Sequence, residues 1–277
     1  QFKSFTCGRV RSMLAPIVEP EELQSELSNS RLLLVDLCQE ETYSRSHLPG
    51  AIHVSPRELI GGVKPATGKL PDRQRLSDLF SRIGLRSDQH LVAYDDEGGG
   101  WAGRFLWTLD VIGHAAHSYL NGGLIAWTEE KRPLESQPNQ PTAAMVSVSI
   151  NRQPIVDKEY LLSHLDDPGV VIWDARSASE FNGSKVQAAR GGHIPGAVNL
   201  DWLDTMDRNR GLRIRSDIEK ILIDHGISRD KEVITHCQTH HRSSLTYLIG
   251  KSLGYRIKAY DGSWSEWGND PHTPIDV

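Results

Sequence analysis

Apolar residues along this chain fall into two kinds of run. Short unbroken ones, Leu32 to Asp36, Leu91 to Tyr94, Val170 to Asp174 and Val233 to Thr235, have the pattern of strands covered on both faces. Others recur at helical spacing: Leu76 to Ile83, Ile218 to His225, and Ser243 to Leu253, where Leu245, Leu248, Ile249 and Leu253 share a face. Strand and helix alternate, which predicts an α/β fold with mainly parallel sheets and helices on both faces.

The pattern occurs twice. Pro16-Ile-Val-Glu-Pro-Glu-Glu-Leu23 is echoed by Pro154-Ile-Val-Asp-Lys-Glu-Tyr-Leu161, and the strand ending on Asp36 by the strand ending on Asp174. His47-Leu-Pro-Gly-Ala-Ile52 returns as His193-Ile-Pro-Gly-Ala-Val198, and Ile83 to Asp88 as His225 to Asp230. Both copies close on a glycine turn and a tryptophan, Gly122 to Trp127 and Gly262 to Trp267. Between them, Lys131 to Thr142 is polar, carries three prolines and has no periodicity, as a linker would. A repeat this long is a duplicated domain rather than a solenoid. Aligning the copies places Asp95 where the second has Cys237, so only one copy retains a nucleophile.

Composition adds limits. A length of 277 residues favours two domains, and 38% hydrophobic with 24% charged residues is ordinary for a globular chain. A formal charge of −5 with dispersed arginines gives no reason to expect nucleic acid, and no apolar run is long enough to span a membrane. The three cysteines, Cys7, Cys38 and Cys237, argue against a disulfide framework and for a reducing, cytoplasmic setting. A chain that opens on Gln1 is expected to have a truncated or extended end, with folding beginning near Met13. Residues 1–12, Arg-bearing and free of acids, also fit the remnant of an organelle transit peptide.

The chemistry concentrates in Val233-Ile-Thr-His-Cys237-Gln-Thr-His-His-Arg242-Ser-Ser-Leu245. Cys237 ends a strand and a helix starts just behind it, where backbone N–H groups and the positive end of the helix dipole favour anions. Arg242, His240 and His241 add to that potential, so Cys237 is expected to be a thiolate nucleophile in an anion cradle. The amides of Gln238, Thr239, His240, His241 and Arg242 are expected to converge on the sulfur. Arg242 is expected to fix the loop and hold positive charge over it. His240 and His241 are open to the same role or to a neutral one at the pocket rim.

From about Met13 onward the chain resembles the tandem-domain rhodanese (thiosulfate sulfurtransferase) family. The matching residues are Asp174-Ala-Arg176 followed by Phe181, Gly192-His-Ile-Pro-Gly-Ala197, the Cys237-to-Arg242 loop and Gly262-Ser-Trp264, and the loop is similar to that of a bacterial subgroup. The resemblance implies two tandem rhodanese-like domains: an inactive one over residues 13–131, a linker over 132–144, and a catalytic one over 145–277, with the site near the domain interface. It implies no cofactor. It further implies transfer of sulfane sulfur from a small anionic donor, thiosulfate first, to a thiophilic acceptor such as cyanide or a thiol, through a persulfide on Cys237. The alternatives are 3-mercaptopyruvate as donor, or a carrier that delivers sulfur to a protein partner. Vertebrate members have an arginine where this chain has Glu180, so no substrate-binding arginine is expected there.

Other readings are weaker. Cysteine phosphatases wrap a longer loop between Cys and Arg than Gln238 to His241 allows, which disfavours phosphate. His236, Cys237, His240 and His241 lack the paired spacing of a zinc site, and no metal is expected. Asp174 and Arg176 read as a buttress, Asp36 and His47 as scaffold, and His193 with Pro195-Gly196 as a turn. Trp264 and Trp267 read as packing and Cys38 as unreactive. Glu97-Gly-Gly-Gly100 reads as a slack remnant of a former active loop.

Overall fold

The computed structural model describes residues 13–277, so Cys7 and the expectations for residues 1–12 lie outside the described residues. The first domain contains β1 (Ile17–Val18), α1 (Pro20–Glu26), β2 (Leu32–Asp36), α2 (Glu40–Arg45), β3 (Ile52–His53), α3 (Arg73–Arg82), β4 (His90–Tyr94), α4 (Gly100–Val111), β5 (His117–Leu120) and α5 (Gly123–Glu129). The second contains β6 (Ile155–Val156), α6 (Lys158–Ser163), β7 (Val170–Asp174), α7 (Ala178–Phe181), β8 (Val198–Asn199), the ribbon β9 (Met206–Asp207) and β10 (Arg213–Ile214), α8 (Ile218–Asp224), β11 (Glu232–His236), α9 (Arg242–Ser252), β12 (Arg256–Tyr260) and α10 (Ser263–Trp267).

Both main sheets are wholly parallel and have the same strand order, β1-β5-β4-β2-β3 and β6-β12-β11-β7-β8. The expected duplicated α/β architecture is therefore present. Within β11, Val233 faces one apolar core and Ile234 another, because successive strand residues alternate between faces. The first of these cores runs without a break from Phe80, Phe105 and Leu109 of the first domain to Leu222, Leu245 and Leu248 of the second. Alpha4 is almost entirely buried because it packs on its own sheet and on α9. At the closest approach a Cβ on Gly103 would lie 2.7 Å from the carbonyl carbon of Ser244.

The turn histidines have equivalent roles in the two halves. His47 pairs with Glu135 and His193 with Asp276 as isolated antiparallel bridges, each amide donating at 2.8 Å. Each imidazole stacks on a ring from the preceding helix, Tyr43 at 3.9 Å and Phe181 at 3.6 Å.

The polar connection extends further than its composition suggests. Residues 144–148 lie along α3: the amides of Ala144 and Val146 donate to the Ser81 carbonyl and hydroxyl, both at 2.9 Å, and that of Val148 to the Ser77 hydroxyl at 3.2 Å. Residue 145, the expected start of the second domain, thus falls on a strap held by the first, and the second sheet opens at β6.

The domains also exchange loops. Residues 61–70 of the first lie on the second, with the Leu70 amide donating to Asp261 at 2.9 Å and Lys69 paired with Glu266 at 2.5 Å. In the opposite direction the β9–β10 ribbon lies on the first domain. There the Ile214 amide donates to Asn121 at 2.9 Å, and Arg213 bonds Glu19 at 2.9 Å and pairs with Glu130. Each half thus covers the C-terminal end of the other's sheet, where the loops after β4 and β11 lie.

Candidate active site

Cys237 is the first residue after β11, and α9 begins at Arg242. Its backbone is fixed by the start of α10: its amide donates to the Ser263 hydroxyl at 3.3 Å and its carbonyl accepts from the Trp264 amide at 2.9 Å. The Gln238 carbonyl accepts from the Ser265 amide at 2.9 Å. The glycine turn and tryptophan that end the repeat therefore anchor the loop as well as pack the core.

Cys237 is fully buried, which by itself disfavours a thiolate. Arg242, hydrogen bonds from the hydroxyl and amide of Ser243, and the charge of His241 outweigh that burial and bring the thiol down to about 7. Cys38 has the same burial beside Asp36, Asp96 and Asp95 instead, and its thiol is pushed far up. Opposite neighbouring charge favours the thiolate at one cysteine and disfavours it at the other.

Arg242 is held by Glu180, two parallel bonds of 2.7 and 2.9 Å. Burial would raise the Glu180 carboxyl, but Arg242 and Ser177 hold it down at about 2. The position that would carry an arginine in vertebrate relatives thus holds the counter-ion of the loop arginine.

The two loop histidines differ. His240 is wholly buried in a left-handed conformation, φ 54°, with its ring edge-on to Trp107 at 4.6 Å. Its carbonyl accepts from Arg104 of α4 at 3.3 Å, and its Nδ1 meets the Ser243 hydroxyl at 2.7 Å. Burial, Arg104 and the other histidines push it well below its ordinary value, so it is neutral. A serine hydroxyl has one proton; with that proton directed at the Cys237 sulfur, Ser243 accepts from His240 Nδ1–H. His240 is therefore part of the domain interface rather than of a solvent-facing rim. His241 is partly exposed, lies against Trp101 at 4.5 Å and Trp202 at 5.6 Å, and bonds Glu97 of the first domain. Burial opposes its charge, but Glu97 prevails and raises it above the ordinary histidine value.

Gln238 donates to the Gln187 carbonyl at 3.0 Å, and the Thr239 backbone packs against Gly68, where a Cβ would collide with the Thr239 carbonyl. Asp174 and Arg176 form a buried bidentate pair, and Arg176 also donates to the Gly192 carbonyl at 2.8 Å and lies 4.4 Å above Trp264. They support the elements around the loop and bond none of its residues from Cys237 to Arg242. Among the described residues no cluster of His, Cys, Asp or Glu could hold a metal ion.

Sequence reading missed Arg104, Glu97, Ser243 and Ser263. Ser243 follows Arg242 directly, and its neighbourhood was a usable signal. Arg104 had no local signal, and Glu97 lay in a loop read only as a remnant. Glu97-Gly-Gly-Gly100 is also not slack: Gly98 and Gly99 are left-handed, and the Glu97, Gly99 and Ala102 amides donate to the Asp95 carboxylate at 3.2, 2.8 and 2.9 Å.

A doubled parallel sheet with a cysteine loop over a helix N-terminus defines a two-domain sulfurtransferase, and the chain belongs to the rhodanese family. It matches the Rhodanese-like domain twice, over residues 19–130 and 157–270. It is 52% identical to a thiosulfate sulfurtransferase of Azotobacter vinelandii, over 94% of this chain and 97% of that one. It is 49% identical to a thiosulfate sulfurtransferase of Pseudomonas aeruginosa, over 97% and 99%. The fold is similar to that of EanB Y353A in complex with ergothioneine, with a TM-score of 0.85, 20% identity, and coverage of 95% of this chain and 70% of that one.

Proposed function

We propose that this chain takes sulfane sulfur from thiosulfate onto Cys237 and passes it to cyanide or a thiol. The observation that carries the reading is a buried cysteine whose thiol lies at about 7, at the junction of β11 and α9. The Cys237 thiolate attacks the outer sulfur of thiosulfate; the sulfur–sulfur bond breaks, sulfite leaves with its electron pair, and Cys237 becomes a persulfide. Cyanide carbon then attacks the terminal sulfur, thiocyanate departs, and the thiolate returns. The Cys237 thiolate, and the persulfide that would replace it, lie at the positive end of α9 beside Arg242 and His241, which supports stabilisation of both.

Gln238, Thr239, His241 and Arg242 keep partial exposure and form the approach to the sulfur, while His240 braces the loop from behind. Asp174 and Arg176 act as supports. The two described cysteines are free, in keeping with a reducing cytoplasmic setting, and no described helix is long and apolar enough to cross a membrane.

Incubation with thiosulfate is expected to add the mass of one sulfur atom to Cys237, removable by cyanide. A Cys237→Ser variant that still gained cyanide-labile sulfur and turned over would overturn the reading. A second donor is worth comparing, because Glu180 takes up the end-on pair of Nη groups of the loop arginine. Faster loading from 3-mercaptopyruvate than from thiosulfate would transfer the assignment to that donor. Sulfur lost to a protein faster than to cyanide would mark a carrier.

A further inference from the structure

We propose that Glu97, from the domain without a nucleophile, is a positioning residue of the sulfur-transfer site: its carboxylate holds the His241 imidazolium beside the Cys237 loop. The proposal rests on the reading of Cys237 as the reacting thiolate.

The contact is built from both sides. Glu97 Oε1 bonds His241 Nε2 directly across the domain boundary. The glutamate is fixed at its backbone, whose amide donates to Asp95 at 3.2 Å. The imidazole lies against the Trp101 and Trp202 rings, one from each domain. Gly100 leaves the space the pair occupies: a Cβ there would meet His241 Nε2 and lie 2.8 Å from Glu97 Oε1. Gly98, beside the glutamate, has φ 98°, and a Cβ there would meet the Met206 side chain of the β9–β10 ribbon.

The surrounding charges give the pair its effect. Burial disfavours a charged His241, and Glu97, Cys237 and Asp95 are the neighbouring groups that favour it. Cations lie close as well: Arg104 of α4 reaches the His240 carbonyl, and Arg242 follows directly in the chain. Arg242, which also favours the thiolate, is paired with Glu180, with Asp201 near both. His240 is neutral and contributes no charge. Removing Glu97 leaves burial to dominate at His241, the imidazolium loses its proton, and the thiolate loses one of its cationic neighbours. The domain that lost its own cysteine would thus still take part in the chemistry.

The test reads Cys237 alone, by the pH dependence of its alkylation with iodoacetamide followed by peptide mass mapping. In the unmodified protein the midpoint is expected near 7. Glu97→Gln and His241→Gln are each expected to move it upward by a similar amount, with alkylation at neutral pH slowed about two- to threefold. The double variant is expected to show no further shift, and Glu97→Asp to restore part of it. An unmoved midpoint in Glu97→Gln, or single shifts that add fully in the double variant, would overturn the proposal. In the unmodified protein, an NMR titration of the His241 ring is expected to give a midpoint above the ordinary histidine value, and one at or below it would also overturn the proposal. Neither measurement uses a sulfur donor, so loss of the donor assignment leaves this result readable.

Discussion

Asp95 and Cys237 hold the same position in the two halves, the first residue after the central strand, and the Asp95 carboxylate is bound by three backbone amides. The first domain therefore contains an anion cradle with a permanent occupant. Counted from Cys237, the equivalent amides are those of Thr239, His241 and Ser244. The left-handed residue recurs as well, Gly98 with φ 98° in one loop and His240 with φ 54° in the other.

Asp95→Asn replaces one accepting oxygen by an N–H group facing an amide donor. A buried donor left without an acceptor costs about 1–3 kcal/mol, and urea unfolding is expected to show a loss of that size.

The rate of sulfur loading is expected to follow the thiolate. It should rise as pH passes through about 7 and level off above that, because only the ionised thiol attacks. Arg242→Gln removes the largest favourable influence on the thiolate, so the midpoint should move up toward the ordinary thiol value. Stopped-flow loading across a pH series checks both expectations.

Glu180 gives a stability expectation in acid. Its carboxyl is depressed from 4.5 to about 2, so its contribution is fully present above 4.5 and is lost as pH falls from there through about 2. Glu180→Ala should remove about 2 kcal/mol at neutral pH, the usual scale for hydrogen bonds to a charged group, and flatten acid unfolding in that window. Chemical denaturation between pH 7 and 2 measures the difference.

Gly68→Ala tests the loop lent by the first domain. The added methyl would meet the backbone carbonyl of Thr239, so the active loop must shift. A displacement of about 1 Å can reduce rate by as much as a hundredfold, and sulfur loading is expected to fall at least tenfold with far-UV circular dichroism unchanged.

Cys38 and Cys237 are equally buried but should react differently. At neutral pH iodoacetamide is expected to label Cys237 and spare Cys38, whose thiol is held neutral by burial and aspartates. Labelling of Cys38 at a comparable rate would contradict the charge pattern described.

Much of this protein was legible in local sequence. Buried-strand runs, helical spacing and the repeat determined the doubled parallel fold, since periodicity reports directly which faces are covered. Cys237 and Arg242 were legible because the strand end, the loop and the helix start are contiguous. The expectation that Cys38 is unreactive had a local basis as well, because no cradle lies near it in the chain. The different fates of His240 and His241 were not. They are neighbours of one type, and their charges depend on what the other domain places beside them: Trp107 and Arg104 for one, Glu97 for the other. The same holds for the strap over α3 and for Gly68, whose partners are distant in the chain. Burial and electrostatic interaction depend on distance in space, so local patterning carried the fold, the repeat and the candidate cysteine, while the charges around that cysteine come from the packing of the two domains.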